Sequence, residues 1–197
     1  MKKLNIGCGN KFLPGYIHVD IQKYDHIDVV CDIENVDNFF EKDSIDEIYC
    51  CHILEHIDRH KFVNVLTKLN KILKKDGVLY ISVPNFEAVV ELYNVDKAVL
   101  PKMYGFLYGG QRNEFDYHYV TFDYVLLKKI LEKCGYDSIE KYDYRTYLPE
   151  EHDDYSKCYY PHMDSVNGKL MSLNVTARKT THVDLNFYLG GVQSTLL

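Results

Sequence analysis

A short apolar run, Leu4-Asn5-Ile6, breaks into Gly7-Cys8-Gly9-Asn10, and a second run, Tyr16-Ile17-His18-Val19, ends in Asp20. Glycines at the end of a strand let a ligand approach the backbone where any Cβ would collide. A carboxylate closing the next strand suits the two hydroxyls of a ribose, the arrangement of nucleotide sites in doubly wound sheets. The two runs together predict a parallel sheet with a nucleoside-bearing ligand at the carboxyl ends of its first strands.

The remainder of the chain keeps this pattern. Short apolar strands are expected at about 3–7, 16–20, 27–31, 45–50 and 77–83, alternating with helical stretches as in α/β folds. The stretch 59–74 carries Phe62, Val65, Leu66, Leu69, Ile72 and Leu73 at helical spacing, with Lys74-Lys75-Asp76-Gly77 as its stop. A second helix is expected over 121–134, with Thr121 as cap, Leu126, Leu127, Ile130 and Leu131 as stripe and Gly135 as end. Two further strands are expected at 138–144 and 170–179. The expected organisation is one domain over 1–180 and a C-terminal tail over 181–197. Within the domain, 84–120 and 145–168 are long for plain connections and read as insertions, a lid or substrate region. The acidic group Glu150, Glu151, Asp153 and Asp154 in the second insertion also fits a solvated loop.

Composition narrows the function. The net charge of −6 disfavours a general nucleic-acid surface, which needs clustered Lys and Arg. No run approaches the roughly 18 apolar residues of a membrane span. Met1-Lys2-Lys3 leads directly into a strand instead of a signal-peptide apolar segment, so a cytoplasmic location is expected. The six cysteines form no CxxC pair and read as reduced, structural thiols. The 18 tyrosines offer flat apolar faces with polar tips, suited to sugars or bases and equally to core packing.

The glycine motif is not a dinucleotide fingerprint. The third glycine of Gly-x-Gly-x-x-Gly is Phe12, and Pro14-Gly15 follow where a helix should run. A pyrophosphate would lose its helix N-terminus, and Asp20 arrives too early for the usual ribose carboxylate. Both departures count against a nicotinamide oxidoreductase or epimerase.

At this point the chain resembles the class I S-adenosylmethionine-dependent methyltransferases, in the small branch with Gly-Cys-Gly, a Pro-Gly turn and Val-Asp (methyltransferase type 11-like). The resemblance runs from about residue 3 to 145 and resumes at 170–179. It is carried by Asn5 to Gly9, Phe12 to Tyr16, His18-Val19-Asp20, Val29 to Ile33, Ser44 to Tyr49, His52 to His56, Leu69 to Leu73, Lys75 to Leu79 and Ile81 to Asn85. It implies a Rossmann-like, doubly wound, mostly parallel sheet of about seven strands whose last strand is antiparallel. It implies S-adenosylmethionine as cofactor, with Gly7, Cys8, Gly9 and Asn10 around its methionine part and ribose. Asp20 would then meet the ribose hydroxyls, Ile21 the adenine ring, Asp32 and Ile33 the adenine edge, and Cys51 and His52 the sulfonium side.

His52-Ile53-Leu54-Glu55-His56 also matches the inverted zinc-peptidase pattern, which needs both histidines on one face of a helix. The motif directly follows an apolar strand, and Leu-Glu-His recurs in the methyltransferase pattern, so no metal is expected. Glu55 and His56 read either as capping groups at the sheet edge or as groups beside cofactor or substrate, with His56 a candidate catalytic residue. Gly109 to His118 precedes the second helix and would lie over the cofactor end of the sheet. His118 is the leading candidate for a general base, since imidazole can take a hydroxyl proton near neutral pH. Its alternative is to cap the following helix or pack among tyrosines. Asp116, Tyr104, Tyr108 and Arg112 are candidate substrate contacts. The expected reaction is methyl transfer to a small molecule or glycan, with O-methylation of a sugar in polysaccharide biosynthesis as the favoured form. The expected partners are that substrate, no nucleic acid and no membrane, with a homodimer open to it. A non-catalytic cofactor-binding protein is the other reading.

Overall fold

The computed structural model describes residues 1–180, so the expected tail over 181–197 lies outside the described residues. Strand β1 (Lys3–Ile6) pairs in parallel with β2 (Ile17–Asp20) on one side and β4 (Ile45–Cys51) on the other. The two-residue β3 (Val29–Val30) continues the sheet beyond β2, and β5 (Leu73–Pro84) continues it beyond β4, both in parallel. Strand β9 (Ser172–Lys179) is antiparallel to β5 and to β6 (Tyr136–Lys141), giving the order β3-β2-β1-β4-β5-β9-β6. Strands β7 (Tyr159–Tyr160) and β8 (Lys169–Leu170) form a separate antiparallel ribbon. The sheet is the expected seven-stranded, mostly parallel α/β arrangement. Its strand order reverses between β1 and β4, and a crevice opens at the carboxyl ends of the strands there.

Period two along β4 sorts its side chains onto both faces. Ile48 and Cys50 join the main core with Leu4, Ile6, Leu79, Ile81 and Val175. Helices α1 (Phe62–Ile72) and α4 (Tyr124–Lys133) cover this core, α1 with Val65, Leu66 and Leu69 and α4 with Leu127, Ile130 and Leu131. Tyr49 instead joins Leu13 and Leu148 on the other face, with Tyr16, Tyr80, Tyr144 and Tyr147 packed against them. Tyr80 stacks on Tyr147 at 3.8 Å between ring centroids, and the Tyr147 hydroxyl donates to Glu47 at 2.9 Å. Much of the tyrosine content is therefore spent on a packed face.

Several boundaries differ from the sequence reading. Helix α1 ends at Ile72, and Leu73 already opens β5, so Lys74 to Gly77 is not a helix stop. Pairing jumps there from Ile45–Leu73 to Glu47–Val78, an irregularity in which Asp76 adopts a φ of 63°. Asp123, not Thr121, caps α4, because its Oδ1 accepts from Leu126 N at 2.7 Å. The first insertion is mostly helical: α2 (Phe86–Val95), a 3-10 stretch Lys97–Met103 and α3 (Tyr104–Tyr108). Exposed Phe86, Val90 and Tyr93 blur the apolar stripe of α2, whose buried side chains are Ala88 and Val89.

The second insertion is tied to the sheet by one buried carboxylate. Glu150, Glu151 and Asp153 are exposed, whereas Asp154 is buried and accepts from the Tyr49 hydroxyl at 2.6 Å and from Ser156 N at 2.9 Å. His152 Nε2 lies 2.9 Å from the same carboxylate. Burial alone would raise the Asp154 carboxyl, but hydrogen bonds from His152, Ser156 and Tyr49 outweigh it and hold the pKa at about 2. The folded value lies below the unfolded one, so the stabilisation is complete above about pH 4 and lost as the pH falls toward 2. The group contributes about 2 kcal/mol. Urea unfolding between pH 7 and 2 should show this loss, and Asp154→Asn should start less stable with a shallower acid dependence. A profile identical to that of the wild type would remove Asp154 from the account.

Candidate functional site

The crevice at the switch point is a cleft of about 510 Å³ lined by Gly7, Gly9, Asp20, Ile21, Asp32, Ile33, His52 and His56 among others. Its floor depends on Gly7. With φ at 70°, Gly7 occupies backbone space that favours glycine, and a Cβ there would stand 2.1 Å from Ile53 Cδ1. The loop that follows is a turn, not a helix: Leu13 N donates to His18 Nε2 at 2.9 Å, and Phe12 stacks on the His18 ring at 4.8 Å. Phe12 and Pro14-Gly15 thus serve a turn braced by a buried histidine, which is why the dinucleotide helix is missing.

Asp20 holds both walls of the cleft. One carboxylate oxygen accepts from Gly9 N at 2.7 Å and the other from Gln22 N at 2.8 Å. Each oxygen keeps a further lone pair, so the group can also accept from a pair of hydroxyls. Ile21 beside it is 43% exposed and lines the cleft, an apolar surface for a flat ring. On the facing loop Asp32 caps the 3-10 stretch Ile33–Asn38, accepting from Glu34 N at 2.9 Å. Lys61, paired to Glu34 at 3.0 Å, closes that side.

A second cavity of about 220 Å³ adjoins the first, sharing His52 and His56, and is lined further by Glu55, Phe106, Arg112, Asp116, His118 and Tyr155. The loop carrying His118 is tightly closed. Gln111 N donates to Asp116 O at 2.9 Å, Arg112 Nε pairs with Asp116 Oδ2 at 2.6 Å, and His118 N donates to Tyr108 O at 3.1 Å. Gly109 has a φ of 77°, and a Cβ there would lie 2.3 Å from Asp116 O, so the loop closes only around glycine.

Two imidazoles meet in this cavity, His56 and His118, edge to face at 4.7 Å. His56 Nδ1 lies 3.0 Å from Tyr117 O and His118 Nδ1 lies 3.1 Å from Phe106 O. A carbonyl only accepts, so both Nδ1 atoms donate, and each neutral ring carries its lone pair on Nε2. Burial pushes the His118 pKa down, and its neighbour Glu55 only partly opposes this. Glu55 itself is fully buried. Burial would raise its pKa, but His52 first, then His56 and His118, hold it below the ordinary carboxylate value. His52 Nε2 is 2.9 Å from Ser172 Oγ, whose hydrogen goes to Tyr155 O.

The structure brings Gly7, Gly9, Asp20, Ile21, Asp32, Ile33 and His52 to one cleft, and His56, His118, Asp116 and Arg112 to its neighbour. Cys8 turns inward, its Sγ 3.9 Å from Val19 O, and burial pushes its thiol up to about 12. Cys51 packs with the Leu13–Tyr49–Leu148 cluster, and Asn10 faces a separate surface pocket beside Pro149. Tyr104 and Tyr108 contact each other on α3, with centroids 5.8 Å apart, and line neither cavity. The zinc-peptidase pattern fails as a helix: His52 has a φ of 51° at the strand end, and Leu54–His56 is a single 3-10 turn. Sequence reasoning passed over Gln22, Glu34, Lys61 and Tyr155. A polar residue two positions after Asp20 was the one available signal among them.

Residues 4–81 match the model of a family described as a methyltransferase domain. No curated protein matches the chain. Among solved structures it is similar to a SAM dependent methyltransferase from Archaeoglobus fulgidus, at 16% identity over 90% of this chain and 86% of that one, with a TM-score of 0.54. A SAM-dependent methyltransferase from Thermotoga maritima, described as a possible histamine N-methyltransferase, is similar at 15% identity over 91% of this chain and 82% of that one, with a TM-score of 0.55. The Burkholderia thailandensis 1,6-didemethyltoxoflavin-N1-methyltransferase, solved with bound 1,6-didemethyltoxoflavin and S-adenosylhomocysteine, is similar at 15% identity over 90% and 70% of the two chains, with a TM-score of 0.53. At these identities the likeness to each is one of fold.

Proposed function

We propose that this chain, a class I S-adenosylmethionine-dependent methyltransferase by its domain match and sheet order, methylates a hydroxyl of a small-molecule or glycan acceptor, in the favoured form a sugar. The observation that carries this reading is the pair of adjoining cavities sharing His52 and His56, the smaller one walled by His118. The larger cleft takes the cofactor: Gly7 and Gly9 beside its methionine part and ribose, Asp20 on the ribose hydroxyls, Ile21, Asp32 and Ile33 about the adenine. His52 stands at the sulfonium end, while Cys8, Asn10 and Cys51 shape the loops from behind.

Transfer from a sulfonium is an in-line displacement with a good leaving group, so alignment and exclusion of water are the enzyme's main contributions. A hydroxyl acceptor must also lose its proton. The cluster of His56, His118 and Glu55 would assist that loss, with the His118 Nε2 lone pair free of any backbone bond. Arg112 and Asp116 at the rim contact the rest of the acceptor, and Tyr104 and Tyr108 on α3 are left to the further units of a glycan. In line with the resemblance in its sequence, the reading extends to cytoplasmic work in polysaccharide biosynthesis.

The test combines binding and turnover. S-Adenosylhomocysteine at 100 times its Kd should stabilise the native state by about 2.7 kcal/mol and raise Tm by roughly 5–10 °C. Labelled S-adenosylmethionine offered with a panel of sugars, amines and thiols should then label a sugar hydroxyl. Label appearing only on amines or thiols would overturn the hydroxyl reading. The described residues contain no helix long and apolar enough to cross a membrane.

A further inference from the structure

We infer that Glu55, His56 and His118 bind a divalent first-row transition-metal ion where the two cavities join. The inference rests on the methyl-transfer reading above and supplies the means by which the cluster assists loss of the acceptor's proton.

One ligand atom from each of the three residues lies within 4.8 Å of the other two. Donors sharing one ion at about 2.0–2.2 Å sit within roughly 3–4 Å of one another, so the set would close by roughly 1–2 Å around an ion. The independent sign of a missing partner is Glu55. It is fully buried, and neither of its oxygens meets a hydrogen-bond donor in bonding geometry; the nearest ring nitrogen is His52 Nδ1, 3.2 Å from Oε1. A buried carboxylate without donors is costly, and proteins retain one chiefly where it is paired or coordinates a metal. The two histidines show the complementary arrangement. Each gives its Nδ1 hydrogen to a backbone carbonyl, Tyr117 O or Phe106 O, which fixes the ring and leaves Nε2 for an ion. Metal-bound histidines are held in this way.

The donor set selects the ion class. Two imidazoles and one carboxylate suit first-row transition metals, whereas calcium and magnesium want oxygen ligands. Three protein ligands leave coordination positions open toward the 220 Å³ cavity, where the acceptor would sit. A hydroxyl that binds the ion becomes more acidic and gives its proton to water. Its oxygen then forms the bond to the methyl carbon as the carbon–sulfur bond breaks, and that electron pair leaves a neutral thioether.

The full chain, stripped with chelator, is titrated with Co²⁺ and followed by its visible d–d absorption, with Zn²⁺ content measured after dialysis. One equivalent should bind. Glu55→Gln should abolish binding, and His118→Ala should weaken it at least tenfold, while His60→Ala, at an exposed histidine outside the cluster, should leave it unchanged. Neither Glu55 nor His118 lines the larger cleft, so a retained thermal shift with S-adenosylhomocysteine shows that each variant is folded. Failure to bind one equivalent, or full binding in folded Glu55→Gln or His118→Ala, overturns the site. Undiminished methyl transfer by stripped protein overturns the ion's role and leaves the methyl-transfer reading intact. Stoichiometric metal lost in the variants, with no hydroxyl acceptor turned over, supports the site and counts against the acceptor reading alone.

Discussion

Replacing His118 by alanine should slow methyl transfer by roughly 10²–10⁴-fold, the usual worth of assistance to a departing proton, while S-adenosylhomocysteine binds almost as before. The separation follows from placement. His118 lines the smaller cavity and not the larger cleft, and its ring is anchored on Phe106 O. The loss should appear in kcat more than in the cofactor's KM, because the interaction matters when the acceptor's proton departs. His118 also packs beside Gly109 and donates its backbone N–H to Tyr108 O, so the loop's main-chain bonds survive truncation of the ring. Full activity would remove His118 from the chemistry. An equal loss of cofactor affinity would show that the loop, not the imidazole, had been damaged.

Asp20→Ala should act on the opposite term, lowering affinity for S-adenosylmethionine and its product by about 1–3 kcal/mol, or roughly 5–150-fold. The carboxylate has two duties. It holds Gly9 N and Gln22 N, one on each oxygen, and its remaining lone pairs face the cleft. Alanine strands both amides together with any ribose hydroxyl. Asparagine keeps one carbonyl acceptor and should fall between the two. Isothermal titration with S-adenosylhomocysteine separates the cases, and unchanged affinity in Asp20→Ala would refute the assignment.

The sheet was legible because periodicity and glycine breaks are local. Leu4 to Gly9 and Ile17 to Asp20 announce two strands, and the structure pairs them in parallel with each other and the first of them with β4. The inner helices were legible for the same reason, through stripes such as Leu66, Leu69 and Ile72. What escaped was set by competition or by distance. Thr121 and Asp123 both have capping side chains, and only the fold shows which one meets Leu126 N. Helix α2 hid because its exposed face carries Phe86, Val90 and Tyr93, so apolar residues mark no single side. The tyrosines fitted sugar or base stacking and core packing equally, and only the fold shows Tyr16, Tyr49, Tyr80 and Tyr147 gathered on one sheet face around Glu47 and Asp154. The meeting of Glu55, His56 and His118 joins residues more than sixty positions apart. No sequence spacing announces that a carboxylate so near a strand end will be fully buried.

The placement of β9 bears on how the molecule is made. Among the described residues strand β6 pairs only with β9, and β5 meets β9 along seven residues, so this edge of the sheet stays open until residues 172–179 have been synthesised. Residues 1–84, with the switch point and the cleft around Asp20, contain mutually paired strands that can assemble early, as the leading part of a growing chain does. The smaller cavity cannot. Tyr155 forms part of its wall, and His52 is steadied by Ser172, the first residue of the inserted strand. A nascent chain therefore gains most of the larger cleft first, and completes the smaller cavity only when β9 slots between two waiting neighbours.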